Sequence, residues 1–462
     1  MSSYEGRHVL VAGSGVAGAA CVEVLLALGA RVTLLDRLSS DTTDRLRTAG
    51  AELVLGDEPP AGVLDKVDDV IVSPGYAPHT PVVRAAVAAG RPVYSEPELA
   101  WRLRGPDAPA WLAVTGTNGK TTTTTMLAAI LTAADRRTAA LGNIGEPLVH
   151  AALDPGRFDV LAVELSSFQL HWSSTMAPPL GALLNLADDH LEWHGTFDAY
   201  AEAKRVIWRA AAAGAGIAVG NLDDRLVATM LAAVPGRRVG VTLAEPGPGQ
   251  LGVVDGTLVD RAFTVDGEPV ELGPAGAVKP AGRHNVSNAL HAAALARGFG
   301  VSPAAVRDGL AGYTPEPHRN ALVSTVAGVA YVDDSKATNP HAASASLTAY
   351  PRIVWVAGGQ LKGVDVTALV ESVADRLVGA VLLGVDRAEV ATALARHAPH
   401  IPVVDVARTD DGAMAEVVAA AAGIARPGDT VLLAPAAASK DMFVSYAHRG
   451  DAFAAAVRAL VG

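Results

Sequence analysis

A short apolar run at residues 111–115 passes directly into Gly116-Thr-Asn-Gly-Lys-Thr-Thr122, and from there into an Ala- and Leu-rich stretch reaching about residue 134. A buried strand, a glycine turn and a helix in that order open a βαβ unit. The segment therefore commits its neighbourhood to a parallel sheet with helices on its faces. Two glycines, Gly116 and Gly119, let the backbone turn tightly enough for N–H groups and the helix N-terminus to face a polyphosphate. Lys120 would supply positive charge at the β/γ end, and the Thr121 hydroxyl suits Mg²⁺. The loop departs from the general phosphate-loop pattern in carrying Val114 where the first glycine stands. Without a ligand, the same residues read as a turn before a well-capped, Thr-rich helix start. Lysine and threonine together favour nucleotide phosphate.

The rest of the chain repeats this alternation. Residues 8–13 and 31–36 read as buried strands around a helix from about 16 to 28, and 70–72 ends another strand before Ser73-Pro74-Gly75. Residues 158–164 and 180–186 are further strands, each ending in polar residues. From about 235 to 280 the texture shifts to short β-like pieces with turns at Asp255-Gly256 and Asp266-Gly267, which predicts a small antiparallel annex. Strands at 329–333, 353–357, 379–383 and 430–433 alternate with helical segments in a last α/β unit. Turn chemistry at 104–109 and two prolines within 313–318 mark junctions. The expected plan for 462 residues is an α/β chain of three domains, 1–98, 99–315 and 316–462. The first and last are Rossmann-like, and the central one is built on the phosphate loop and carries the annex.

Bulk properties narrow the function. The net charge of −11 argues against a nucleic-acid binder, which needs a basic excess. Cys21 is the only cysteine, so an intrachain disulfide and a cysteine zinc cluster are both excluded, which fits a reducing interior. The start Met-Ser-Ser-Tyr-Glu-Gly-Arg lacks the basic and apolar regions of a signal peptide, and no apolar run is long enough for a membrane span. A soluble, cytoplasmic enzyme is expected, monomeric and without nucleic-acid or membrane partners.

Other candidates are open to more than one reading. Gly13, Ser14, Gly15, Val16, Ala17 and Gly18 have dinucleotide-fingerprint spacing, with Asp36 ending the next strand. The loop could hold NAD or another diphosphate, including a nucleotide sugar, or merely close a helix against a sheet. Cys21 on that helix reads as a small core residue. Glu164 ends one strand and Asp188-Asp189-His190 follows the next. Strand carboxyl ends gather at one sheet edge, so these groups could converge near the phosphate loop and bind Mg²⁺. Taken singly, each is equally a solvated acid or a cap. By spacing alone Lys204 is a surface lysine and Asn143, in Gly142-Asn-Ile-Gly145, a turn residue.

Together these motifs resemble the Mur ligase family, and most nearly its D-glutamate-adding members. They are the 116–122 loop, Gly-Asn-Ile-Gly at 142–145, Glu-Leu-Ser-Ser-Phe-Gln-Leu at 164–170, Asp-His at 189–190 and Ala-Lys at 203–204. His-Asn-Val-Ser-Asn-Ala at 284–289, His318-Arg319, Asp334-Ser-Lys-Ala-Thr-Asn339, Pro435-Ala-Ala-Ala-Ser439 and Arg449-Gly450 complete the set in family order. The resemblance implies that residues 13–18, Asp36, Arg37, Ser73, Pro74 and Gly75 hold the UDP part of a sugar substrate, which displaces NAD. It implies that Gly116, Thr117, Asn118, Gly119, Lys120, Thr121 and Thr122 bind ATP phosphates, with Asn285, Asn288, Arg319 and Asp334 completing the nucleotide site. Thr121, Glu164, His190 and a carbamylated Lys204 would place magnesium, and Asn143 and Ser166 would touch the muramoyl-alanine end. Lys336, Thr338, Lys362, Ser439 and Tyr446 fall where the family positions D-glutamate. Two departures stand out: the Gln360-Leu361 pair before Lys362, and tyrosine rather than phenylalanine at 446.

The implied reaction is ATP-dependent activation of UDP-N-acetylmuramoyl-L-alanine as an acyl phosphate, then attack by D-glutamate, in peptidoglycan precursor synthesis. Lys120, Glu164, His190 and Lys204 would carry it. Competing readings are a ligase of the same kind with another amino acid, including a folate polyglutamate ligase, an NAD-dependent oxidoreductase using the first glycine loop, or a non-catalytic nucleotide-sensing module. Holding three substrates calls for domain closure, with 313–318 as the expected hinge.

Overall fold

The computed structural model describes residues 4–154, 156–410 and 412–460; the Met-Ser-Ser start of the N-terminal segment lies outside them. The chain divides into two compact units, residues 1–277 with 287–313, and residues 278–286 with 314–462. The described strands form three sheets. The observed class is the expected α/β one.

In the first unit, β1 (His8–Ala12), β2 (Arg31–Asp36), β3 (Glu52–Leu55), β4 (Asp69–Val72) and β5 (Val93–Tyr94) form a parallel sheet in the order β3-β2-β1-β4-β5. Strand β1 is buried along its whole length, because helices cover both faces of a parallel sheet. The strand order turns at β1, so the loops after β1 and β4 face each other across a crevice. Cys21, on the helix Val16–Ala27, is a fully buried core residue, as expected.

The second sheet holds β6 (Ala110–Thr115), β7 (Ala140–Gly142), β8 (Val160–Glu164), β9 (Leu180–Leu183), β10 (Ile217–Asn221), β11 (Arg237–Val241), β12 (Gln250–Val254), β13 (Thr257–Asp260) and β14 (Val270–Pro274). Their order is β14-β13-β12-β11-β10-β9-β6-β8-β7. The phosphate-loop strand β6 thus lies between β8 and β9, and both pairings are parallel.

The expected annex is smaller than its sequence texture suggested and is not detached. Strand β11 runs parallel to β10 across the helix Arg225–Ala232, and β12 is parallel to β11, so only β12–β14 are antiparallel. The helix makes a parallel crossover possible there, and Asp224 caps it by accepting from the Leu226 and Val227 N–H groups. Asp255 and Gly256, with φ of 46° and 77°, supply the two left-handed positions of a tight hairpin between β12 and β13.

One hydrophobic cluster contains Val9, Leu25 and Leu34 from around the first sheet and Trp111, Leu148 and Val163 from around the second. The helix Glu96–Leu103 fastens the two together, and the expected boundary at 98/99 lies inside it. The side chain of Glu98 accepts from the backbone N–H groups of Ser174, Thr175 and Met176 at 3.0–3.1 Å. Glu96 accepts from the Val149 N–H at 2.7 Å.

Burial pushes the Glu96 carboxyl up to about 7 from an ordinary 4.5, against the opposing Val149 and Leu148 N–H groups. A raised folded-state pKa means that the folded chain keeps a proton which the unfolded chain has released. This contribution is complete below about 4.5 and is lost as pH rises through about 7. Its size is about 3 kcal/mol. A Glu96→Gln variant should therefore gain stability relative to the parent between about pH 5 and pH 8, read from denaturant midpoints. A difference independent of pH would contradict the assignment.

In the second unit, β15 (Ala321–Val326), β16 (Val329–Asp333), β17 (Ile353–Ala357), β18 (Leu377–Leu382), β19 (Val403–Asp405) and β20 (Thr430–Leu433) form a sheet in the order β15-β16-β20-β17-β18-β19. Only β15 is antiparallel to its neighbour. The loops after three adjacent strands, β16, β20 and β17, therefore emerge side by side. No helix among the described residues is long and apolar enough to cross a membrane.

Candidate active site

The loop after β6 is braced from several sides. Gly119 takes a left-handed φ of 81°, and a Cβ there would lie 2.4 Å from Asn288 Oδ1, so only glycine fits. Asn185, just beyond β9, exchanges hydrogen bonds with the Asn118 backbone at 2.8 and 3.0 Å. The Thr117 hydroxyl lies 2.8 Å from the Tyr200 hydroxyl. The helix Lys120–Ala133 begins directly after Gly119 with no side-chain cap and no acidic residue in its first turn. That leaves its positive end suited to an anion. Thr121 and Thr122 are buried on that turn.

Lys120 Nζ donates to the carbonyls of Gly116 and Thr117 at 2.9 and 2.8 Å. Lys204 Nζ donates to the same Gly116 oxygen at 2.8 Å. The two amines are thus no farther apart than those two bonds laid end to end. Lys204 is 2% exposed, so the surface reading of this lysine is overturned. The helix Phe197–Arg205, capped by Thr196, turns it inward. Burial drives the Lys204 ammonium well below the usual lysine range; the Lys120 cation adds to this, and Asp189 and Glu164 oppose it. Burial thus disfavours the charged form of Lys204 beside Lys120.

Glu164 closes β8, in register with Val114 of β6. It is 1% exposed; Oε1 accepts from Asn143 Nδ2 at 2.8 Å, while Oε2 is buried with no hydrogen-bond partner. Asn143 is held by its own N–H on the Glu164 carbonyl at 2.9 Å. A Cβ on Gly142 would lie 2.3 Å from that carbonyl oxygen. An enclosed, unpartnered carboxylate oxygen beside a phosphate loop fits a hard divalent cation. Among the described residues, no three His, Cys, Asp or Glu side chains are grouped to hold a metal by themselves. A cation here would also need other oxygen donors.

His190 sits in a left-handed conformation, φ 55°, at the start of the helix Leu191–His194. Its ring lies 4.6 Å from that of Phe168, and Nε2 is 3.5 Å from Asp189. Ser166 caps the helix Ser167–His171 in a reciprocal box with Gln169, so its hydroxyl already has a structural task.

At the first sheet, a Cβ on Gly18 would fall 1.9 Å from the Gly13 carbonyl, and one on Gly13 2.7 Å from Ser73 Oγ. The loops carrying residues 13–18 and 73–75 therefore touch at the strand-order reversal. Asp36 accepts from the Ser14 N–H at 2.6 Å. Burial raises the Asp36 carboxyl, but hydrogen bonds from Ser14, Leu38 and Arg37 outweigh it and leave it below the usual range. Arg37 pairs with Asp57 on the surface. Gly15 and Val16 are exposed at an uncapped helix start that has no acidic residue in its first turn.

In the second unit, Asp334 accepts from the Asn320 N–H at 3.1 Å and from the Ser346 hydroxyl. Burial pushes its carboxyl up to about 6, against those hydrogen bonds. Arg319 pairs with Glu316 at 3.0 Å, and Asn285 donates to the Ala281 carbonyl at 3.3 Å. Lys336 Nζ stands 4.0 Å from the centroid of the Tyr446 ring. Thr338 follows in the same loop. Gln360 and Ala438 form a two-bond bridge at 2.9 and 3.0 Å, joining the loop of Lys362 to that of Ser439. The backbone of residue 360 makes the bridge, Leu361 is buried in the core, and Lys362 is left exposed at φ 57°; nothing in the structure explains the glutamine side chain.

Sequence reasoning missed Asn185, Tyr200 and Ser335, which support the loops rather than belong to a recognised cluster. Tyr200 had an available signal, since it lies one helical turn before Lys204. The other two become informative only once the sheet order is known.

Family comparison covers all three sheets. The Mur ligase MurD-like N-terminal domain matches residues 7–95, the Mur ligase middle domain 114–296, and the Mur ligase glutamate ligase domain 318–437. A UDP-N-acetylmuramoylalanine–D-glutamate ligase of Thermobifida fusca is 54% identical over 471 residues, covering 99% of both chains. A protein of the same name from Streptomyces coelicolor is 52% identical, again with 99% of each chain covered. The fold is shared with MurF of Acinetobacter baumannii, at a TM-score of 0.60 and 18% identity over 99% of this chain and 92% of that one. It is also shared with UDP-N-acetylmuramate–alanine ligase of Thermotoga maritima, at 0.58 and 18%, over 98% and 99% of the two chains. With matches to all three of its domains in order and relatives more than half identical along the whole length, the chain belongs to the Mur ligase family.

Proposed function

We propose that this chain is an ATP-dependent ligase that joins D-glutamate to UDP-N-acetylmuramoyl-L-alanine, a step in peptidoglycan precursor synthesis. The observation that carries the reading is the convergence of Lys120 and Lys204 on the Gly116 carbonyl, in the unit that also encloses the unpartnered oxygen of Glu164. The names borne by relatives more than half identical support the choice of substrates.

The alanyl carboxylate attacks the γ-phosphorus of ATP in line, and the bond to the bridging oxygen breaks to release ADP. The D-glutamate amine then attacks the acyl carbon, loses a proton, and the tetrahedral intermediate expels inorganic phosphate. Two anions must meet in the first step, so cationic groups fixed before reaction lower its barrier. Lys120 and the helix start at residue 120 serve that end. Asn143 and Ser166 face the muramoyl-alanine end, and the 13–18 and 73–75 loops hold the uridine diphosphate. Asn285, Asn288, Arg319 and Asp334 complete the ATP site. Lys336, Thr338, Lys362, Ser439 and Tyr446 receive D-glutamate.

Magnesium, when bound, screens the two anionic reactants and stabilises charge on the transferring phosphoryl group. Thr121, Glu164, His190 and a carbamylated Lys204 would hold it. The amine of Lys204, whose charged form burial disfavours, can add CO₂ in its neutral form and release a proton, which turns a nitrogen base into an anionic oxygen donor suited to that ion.

The test is phosphate release from ATP with the UDP-sugar acceptor and each enantiomer of glutamate, extended to L-alanine and diamino acids. D-glutamate alone should support turnover. Equal use of L-glutamate, or preference for another amino acid, would move the chain to another branch of the family.

A further inference from the structure

We propose that Ser335 is a positioning residue for the amino-acid substrate, its buried hydroxyl setting the separation of Lys336 from Tyr446. The proposal rests on the reading of these two residues as part of the D-glutamate site. Ser335 is fully buried at the root of the loop after β16. Its hydroxyl donates to the Tyr446 carbonyl at 2.7 Å and accepts from Arg449 Nε at 2.9 Å. Its own carbonyl accepts from Arg449 Nη2 at 2.9 Å, and Arg449 Nη1 reaches the Ala437 carbonyl, in the loop after β20, at 3.1 Å. One serine thus ties its own loop to the first turn of the helix Tyr446–Ala459 and, through Arg449, to the loop carrying Ser439.

The backbone around it is fixed as tightly. The Ser335 N–H donates to Asp333 Oδ1 at 2.9 Å, and Asp333 Oδ2 meets His318 Nδ1 at 2.6 Å. The His318 carbonyl accepts the Lys336 N–H at 3.2 Å. A Cβ on Gly450 would lie 2.1 Å from His318 Nδ1, so glycine is required where the helix passes this cluster. With both ends of its backbone pinned, Lys336 has its ammonium 4.0 Å from the Tyr446 ring centroid. A carboxylate arriving at that ammonium meets a cation whose place is set by the serine hydroxyl one residue earlier, because the hydroxyl fixes the Tyr446 backbone from which the ring beside the cation extends.

Ser335→Ala in the full chain removes the tie while keeping the side chains of Lys336 and Tyr446 themselves. The KM for D-glutamate should rise about tenfold, while kcat and the KM values for ATP and the UDP-sugar stay within about twofold. Tyr446→Leu, which keeps the carbonyl and removes the ring, should give a similar shift even if the serine variant folds poorly. The double variant should add little, as expected for residues acting through one contact. An unchanged KM for D-glutamate in folded Ser335→Ala overturns the proposal, and so does an unchanged KM in Tyr446→Leu. So does a parallel rise in all three KM values, which would mark the serine as structural only. Failure of the parent protein to use D-glutamate would remove the underlying reading, and the proposal with it, whatever the variants do.

Discussion

Replacing Lys120 by alanine should lower kcat by about 10²–10³, the scale of losing one fixed electrostatic donor at a developing charge. The lysine acts twice. In the free loop its ammonium holds the carbonyls of Gly116 and Thr117, which keeps the turn closed around its own cation. In the proposed reaction it stands at the first residue of the helix that follows the loop and would face the phosphoryl group being transferred. The substitution should also relax Lys204, because the Lys120 cation is, after burial, the largest influence disfavouring the charged form of that amine. The variant should therefore hold less CO₂ on Lys204 as well as transferring phosphoryl slowly. Single-turnover ADP release checks the first effect and isotopic CO₂ trapping the second. Near-normal turnover would remove Lys120 from the chemistry.

Lys204→Ala should be comparably damaging, about 10² in kcat, because the proposed carbamate would be lost as an anionic oxygen donor. Short carboxylic acids added to this variant should restore part of the activity by entering the vacated space. Two observations motivate this: Lys204 is enclosed, and among the described residues its amine forms no ion pair with a carboxylate, meeting the Gly116 carbonyl and, at 4.7 Å, the Tyr200 ring. A buried lysine serving the fold through that hydrogen bond alone would show a loss of stability without rescue. Full activity of the variant in the absence of added acid would defeat the carbamate reading.

Much of this arrangement was legible before any coordinates. The strand–glycine–helix order around residue 116 dictated a parallel sheet. Apolar runs at 158–164 and 180–186 ending in polar residues then placed Glu164 at the end of a strand beside the loop and Asp189-His190 after the other flanking strand. What the sequence could not convey was direction and depth. Lys204 lies on a helix of mixed polarity, where a lysine ordinarily faces water; only the docking of Tyr200 on Thr117 turns that face inward. Ser335 is invisible for the same reason, since its four partners lie at residues 333, 446 and 449 and meet only when β16 and the last helix come together. The extent of the annex depended on whether the helix Arg225–Ala232 made a parallel crossover, a long-range choice that strand composition leaves open. Short-range chemistry was readable, and tertiary direction was not.

In the proposed reaction the acceptor carboxylate takes the terminal phosphoryl group of ATP before the amino acid attacks. UDP-N-acetylmuramoyl-L-alanine carrying heavy oxygen in its alanyl carboxylate, turned over with ATP, magnesium and D-glutamate, tests this directly. The account predicts that one heavy oxygen per turnover appears in the released inorganic phosphate, read by mass spectrometry. Phosphate released without the label would contradict it.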